Sequence, residues 1–151
     1  MAIQRFKEGD WFAVPLANGT SALGLIARYN GRDGILGYYF PALSEDVVTP
    51  ADLSDLSPAD AVLIGITGYL GLRKGKWPVL GQHEIWDRAA WPMPAFKRYQ
   101  ELNDKTYRVI RDEGTLAAIA DVEVSRDFSG PEDGSMGFGF VEARLSRLLA
   151  R

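Results

Sequence analysis

The side chains that could do chemistry are few. The 151 residues include one histidine, His83, and no cysteine. A nucleophile needs a base held against it, so a Ser-His-Asp arrangement would have to use His83. No Gly-x-Ser-x-Gly elbow accompanies it. Close to Trp86, His83 reads as a packed or hydrogen-bonded side chain rather than a catalyst. Without cysteine there is no disulfide, thiolate metal site or cysteine nucleophile, and one histidine is too few for a zinc site. Asp52, Asp55 and Asp60 lack the spacing and closing glutamate of a calcium loop and read as a solvated acidic surface. Any two of the 20 acids could meet as a glycoside-cleaving pair, but nothing singles out two of them. Gly134-Ser135-Met136-Gly137-Phe138-Gly139 resembles a phosphate loop only superficially. It lacks the Walker lysine and the Gly-x-Gly-x-x-Gly spacing, so it reads as a flexible loop. The expectation is a protein with no catalytic residue, no metal and no cofactor.

The aromatic side chains say more. Three of the four tryptophans, Trp77, Trp86 and Trp91, lie between Tyr69 and Arg98 together with His83. Trp-Pro occurs twice there, at Trp77-Pro78 and Trp91-Pro92. Proline fixes its own φ and drives the preceding residue into extended geometry, so each pair mounts a large ring on stiff backbone. Two readings fit: a core-lining loop or a preformed binding surface. Trp77 and Trp91, each inside an apolar run, are expected to be mostly buried. Trp86, between Ile85 and Asp87-Arg88, is expected to be the more exposed.

Charge is segregated along the chain. Residues 45–60 hold five acids (Glu45, Asp46, Asp52, Asp55, Asp60) and no base; residues 73–111 hold nine bases and four acids; residues 112–133 hold seven acids and one base. Either these blocks mix in three dimensions as ordinary surface charge, or acidic patches face a basic partner. The formal net charge of −3 does not favour nucleic acid as a partner.

The elements that must carry these residues are mostly strands. Two apolar runs flank Asn18-Gly19, the strongest short hairpin signal. A two-residue turn pairs Val14 with Leu23 and Phe12 with Leu25 on one face, and Trp11 with Ile26 on the other. Both faces are apolar, so both are expected to be covered. Pro15 should point its missing N–H away from the partner strand. Residues 35–40 read as a third strand ended by Pro41. Ser57-Pro58-Ala59-Asp60 reads as a short helix start, and 62–67 as a buried strand. A second strand group covers 106–111 and 116–124. Residues 129–139 read as a glycine-rich loop, and 140–145 as a strand ending in a short helical turn, although Val141, Leu145, Leu148 and Leu149 also match helix period. The composition, 46% hydrophobic and 25% charged, is that of a soluble globular protein. There is no secretory h-region and no apolar run long enough to span a bilayer. The absence of cysteine fits a reducing cytoplasm. The expected architecture is one domain over 1–151, mostly β (α+β): a small antiparallel barrel or sandwich, SH3-like in style, with one or two short helices.

Three sets of residues carry a resemblance. Gly9-Asp10-Trp11-Phe12-Ala13-Val14-Pro15-Leu16, followed by Asn18-Gly19 and Ala22-Leu23-Gly24, is similar to the opening of immunity protein family 26 of bacterial polymorphic toxin systems. Leu70-Gly71-Leu72, Trp77-Pro78-Val79-Leu80-Gly81 and Trp91-Pro92-Met93-Pro94-Ala95-Phe96 resemble its middle, in the same order. The likeness covers roughly two-thirds of the chain and is loose after Tyr107. It implies a small, mostly β, non-enzymatic protein that binds the toxin encoded beside it and blocks it. It implies no catalytic residue and no cofactor, and it supplies no binding residues. From the acids and the apolar exposure, Asp46, Asp52, Asp55 and Trp86 are the candidates for toxin contact. A nuclease toxin would present basic surface to them. The competing reading is a small β-barrel enzyme or ligand-binding module with a pocket lined by Trp77, Trp86 and Trp91. No membrane or nucleic-acid partner is expected, and the oligomeric state is left open.

Overall fold

The computed structural model describes residues 3–42 and 53–150. Strands β1 (Asp10–Pro15), β2 (Ser21–Tyr29) and β3 (Gly34–Ala42) form an antiparallel meander, and β4 (Leu63–Gly68) adds to β3. A single helical turn, α1 (Leu70–Arg73), leads to β5 (Val79–Gln82), which returns to pair with β1. Strands β6 (Phe96–Gln100), β7 (Lys105–Arg111) and β8 (Ala118–Val124) make a second, three-stranded antiparallel sheet. The chain then runs beside β6, adds β9 (Ser135–Met136) parallel to β4, and ends in helix α2 (Phe138–Leu148). The large sheet has the order β5-β1-β2-β3-β4-β9. Its edges are β5 and β9, so no barrel closes. The described residues are mostly β, with two sheets and two α-helices.

Both faces of the large sheet are buried, as the doubly apolar hairpin requires. On one face Trp11, Leu23, Leu25, Tyr38 and Phe40 pack with Trp91 and with Phe96 and Val109 of the small sheet. On the other face Phe12, Val14, Ile26, Ile35 and Tyr39 pack with Trp77 and with Val141 and Leu145 of α2. One face is thus a sandwich and the other is roofed by a helix. Each fully buried large apolar side chain contributes about 1.5–3 kcal/mol.

The hairpin register differs by one residue from the two-residue-turn expectation. Val14 sits opposite Ala22, Trp11 opposite Leu25, and Phe12 opposite Gly24. The turn has three central residues. Gly19 N donates to Leu16 O at 3.1 Å, Leu16 N donates to Thr20 O at 2.8 Å, and only Gly19 takes positive φ. This is a type I turn closed by a left-handed glycine, the next most common hairpin connection. The slip moves Phe12 and Val14 to one core and Leu23 and Leu25 to the other. Because the Leu16–Thr20 pair is hydrogen-bonded, alternation turns the nitrogen of Pro15 away from β2, as expected.

Three other elements depart from the sequence reading. Pro41 does not end β3. It lies at a register shift between the Leu23–Phe40 and Ala22–Ala42 pairs, where a missing donor is tolerated. Residues 140–145 are part of helix α2, not a strand, because Val141 and Leu145, one turn apart, must meet the second core together. The glycine-rich stretch is partly regular. Lys97 N donates to Pro131 O at 2.8 Å and Asp133 N to Lys97 O at 2.9 Å, before Ser135 and Met136 pair with Ile66 and Thr67. This strap joins one sheet to the other. Ser57, by contrast, caps the short helix start as expected: Pro58–Asp60 is a three-residue 3-10 turn, and Asp60 accepts from the Ser57 N–H at 2.8 Å.

Candidate functional site

The stretch on either side of β5, up to the turn that leads into β6, carries the sequence's central aromatics, and local chemistry makes it stiff. The two Trp-Pro pairs are tied by their proline carbonyls: Pro78 O accepts from Ala13 N at 2.9 Å, and Pro92 O accepts from the Tyr38 hydroxyl. Trp91 meets Trp11 edge-on at 6.2 Å and Tyr38 at 5.2 Å. Trp77 stacks on Phe12 at 5.4 Å with an interplanar angle of 7°, and its Nε1 donates to Glu142 at 3.1 Å. Trp77 and Trp91 are buried, as expected. They lie on opposite faces of the large sheet, so no single pocket is lined by Trp77, Trp86 and Trp91, and that reading is corrected.

His83 is a structural side chain in this turn. It is 7% exposed and stacks on Trp11 at 5.4 Å. Its backbone N–H donates to Gly9 O at 2.7 Å, and its Nδ1 accepts from Ile85 N at 3.1 Å. Burial lowers its pKa from the usual value, with Glu84 opposing weakly, so the ring is neutral near pH 7 and fixed as an acceptor at Nδ1. No ion pair or side-chain hydrogen bond joins it to a nucleophile among the described residues.

Trp86 is half-buried and forms the rim. Its ring lies on the backbone of Gly9, where an added Cβ would come within 3.0 Å of it; Gly9 also has φ +92°. Its Nε1 donates to Glu8 at 3.1 Å, while the other oxygen of Glu8 meets Arg88 Nε at 3.3 Å. Asp87 accepts from Ala89 N at 3.1 Å and closes the following 3-10 turn. Beside this fixed ring, Ile85 is 74% exposed. A large, held aromatic next to a bare aliphatic side chain suits an interface anchor.

Of the acidic candidates, Asp46 and Asp52 lie outside the described residues. Asp55 is exposed, in a turn pinned by buried Leu53 and by Leu56 against the first core. No hydrogen bond or ion pair among the described residues joins Asp55 to Trp86. The other charge blocks mix. The 73–111 bases meet the 112–133 acids across the small sheet: Arg98–Asp121 at 2.8 Å, Lys105–Glu123 at 3.3 Å and Arg111–Asp133 at 2.8 Å. Buried Arg28 takes Glu113 at 2.7 Å, which holds that carboxyl below its usual pKa.

A second concave surface was not visible in the sequence. Residues 3–6, the β2–β3 turn and α1 border an open groove of about 470 Å³, lined by Arg5, Arg32, Arg73, Phe6, Tyr29 and Tyr69. These residues are scattered over 69 positions of the chain, and only Arg73 falls within one of the charge blocks. The described residues hold no group of three or more potential metal ligands, and no described helix is long and apolar enough to cross a membrane.

Compared with known families, residues 7–108 match the model described as Immunity protein 26. The chain belongs to this family. The match spans β1 to most of β7 and includes both Trp-Pro pairs and the Trp86 turn. Strands β8 and β9 and helix α2 lie beyond it, in agreement with the loose likeness after Tyr107. No curated protein and no solved structure matches the chain.

Proposed function

We propose that the protein neutralises a cognate toxin of a bacterial polymorphic toxin system by stoichiometric binding in the cytoplasm, catalysing nothing itself. The observation that carries this reading is membership of the immunity-protein family over residues 7–108. The stiff presentation of Trp86 and Ile85 supports it, because a preorganised aromatic loses little freedom on docking. We take residues 1–151 to act as one domain, because the second core of the β1–β4 meander is completed by Val141 and Leu145.

The proposed contact surface comprises Asp46, Asp52, Asp55 and Trp86, and the proposed partner is a toxin domain with basic surface, such as a nuclease that must hold phosphate. Acidic side chains would raise the association rate at low salt. The test reverses Asp46, Asp52 and Asp55 to lysine and measures association with the product of the neighbouring toxin gene at two salt concentrations. A slower on-rate with a flatter salt dependence is expected. Unchanged rates would remove the acidic face. Protection of cells at levels far below those of the toxin would contradict stoichiometric inhibition.

A further inference from the structure

We infer that the groove between the N-terminal segment, the β2–β3 turn and α1 docks an acidic segment of a partner protein, one that places carboxylates beside apolar side chains. Its walls are held in place by saturated polar groups. Gln4 N donates to Arg73 O at 3.0 Å, Gln4 Nε2 donates to Leu72 O and Trp77 O at 2.7 and 2.8 Å, and Gln4 Oε1 accepts from Val79 N at 3.0 Å. Opposite, Asn30 Oδ1 accepts from the backbone N–H groups of Arg32, Asp33 and Gly34 at 2.9–3.1 Å. Neither wall has to be ordered when a partner binds.

The lining is cationic and aromatic. Arg5, Arg32 and Arg73 surround Phe6, Tyr29 and Tyr69. The Phe6 ring lies 4.9 Å from Tyr29 and 6.0 Å from Tyr69. Arg73 donates to the Tyr69 hydroxyl at 2.7 Å and lies 5.6 Å from the centre of that ring. The acid beside the groove, Asp33, pairs with Arg32 at 3.5 Å. Among the described residues, neither Arg5 nor Arg73 meets a carboxylate. Guanidinium groups take carboxylates in bidentate fashion, and the ring faces with Ile3, 60% exposed, take the apolar part of the segment. Arginine and tyrosine are the types that dominate interface energetics. A nucleic acid fits less well: three arginines are few beside the roughly 6–10 phosphate contacts of a typical binder, and the chain as a whole carries −3. This surface is separate from the Trp86 rim, and the inference does not depend on the toxin reading.

The test titrates the isotope-labelled full chain with a blocked peptide alternating glutamate and leucine, with its glutamine counterpart, and with a short oligothymidine. Saturable shifts are expected at the backbone amides of residues 5, 32, 69 and 73 with the glutamate peptide. Binding should weaken about tenfold for the glutamine peptide and for Arg5→Glu/Arg73→Glu. Arg32→Glu, at a side chain 84% exposed, gives a second reading should the double variant lose its wild-type melting temperature. Absence of shifts at millimolar peptide, equal affinity for both peptides, or tighter binding of the oligothymidine would each overturn the proposal.

Discussion

Two glycine-to-alanine substitutions in the same sheet should behave oppositely. An added Cβ at Gly24 would lie 2.3 Å from Cζ of Phe12, the residue across the ladder, and 2.4 Å from Cε2. Relief needs more than 1 Å of movement to reach ordinary contact near 3.5 Å. The Phe12 ring has nowhere to go. It is fully buried, stacked at 5.4 Å on Trp77 and edge-on to Tyr39 at 5.9 Å. Trp77 is itself wedged against Gly71, where a Cβ would come within 3.0 Å of it, and against Phe138. An added Cβ at Gly65 would lie 2.4 Å from the terminal methyl of Met136, the far end of a side chain with three soft torsions. Overpacking a closed site costs about 1–3 kcal/mol, and this box belongs at the upper end. Removing a glycine from the unfolded ensemble returns about 0.4–1 kcal/mol. Gly24→Ala should therefore lose about 2 kcal/mol, while Gly65→Ala stays within about 0.5 kcal/mol of wild type. At roughly 2–4 °C per kcal/mol for this chain length, Gly24→Ala should melt about 4–8 °C lower. Urea midpoints and melting curves on both variants decide the matter. Equal midpoints for Gly24→Ala and Gly65→Ala would refute the idea that Phe12 is locked by Trp77.

The tryptophans should separate by burial: Trp77→Ala and Trp91→Ala each lose about 3–5 kcal/mol in denaturant unfolding, and Trp86→Ala, half-buried, loses clearly less. Glu113→Gln should lose about 1–2 kcal/mol in the same assay, because buried Arg28 keeps its charge while its partner is neutralised; the estimate is discounted from the buried-pair range because Glu113 is 54% exposed. His83 has a folded pKa below its unfolded value, so the unfolded chain binds the extra proton first. The stability His83 contributes is full above about pH 6.5 and falls as pH drops through that value. Stability curves should show a smaller loss between neutral and mildly acidic pH for His83→Gln than for wild type. Toxin neutralisation by folded His83→Ala should stay within a few-fold of wild type, and complete loss in cell-protection assays would make His83 a working group.

How much was legible depended on whether one pattern excluded its rivals. Asn18-Gly19 located the hairpin, but the register escaped. Both ribbon faces are apolar, so a slip that exchanges Trp11 with Phe12 leaves the hydrophobic pattern intact. The turn type then decided it, through Gly19 alone. The spacing of Val141 and Leu145 served strand and helix period alike, and only the waiting core beneath Trp77 selected the helix. Exposure of Trp86 relative to Trp77 and Trp91 was readable because proline and apolar neighbours speak locally. The cationic groove was not, since Arg5, Arg32 and Arg73 become neighbours only when Gln4 ties the N-terminal segment to α1.

Helix α2 sets a clock on maturation. The Ala17 N–H reaches the Ser146 hydroxyl 129 positions away at 3.0 Å, and Phe12, Tyr39 and Trp77 wait for Val141 and Leu145 as their cover. At roughly 5–20 residues per second, a ribosome takes on the order of ten seconds to travel from the first of these partners to the last. Throughout that interval the emerging meander shows a sticky aromatic face to every neighbouring chain, and a nascent-chain guardian has its window there.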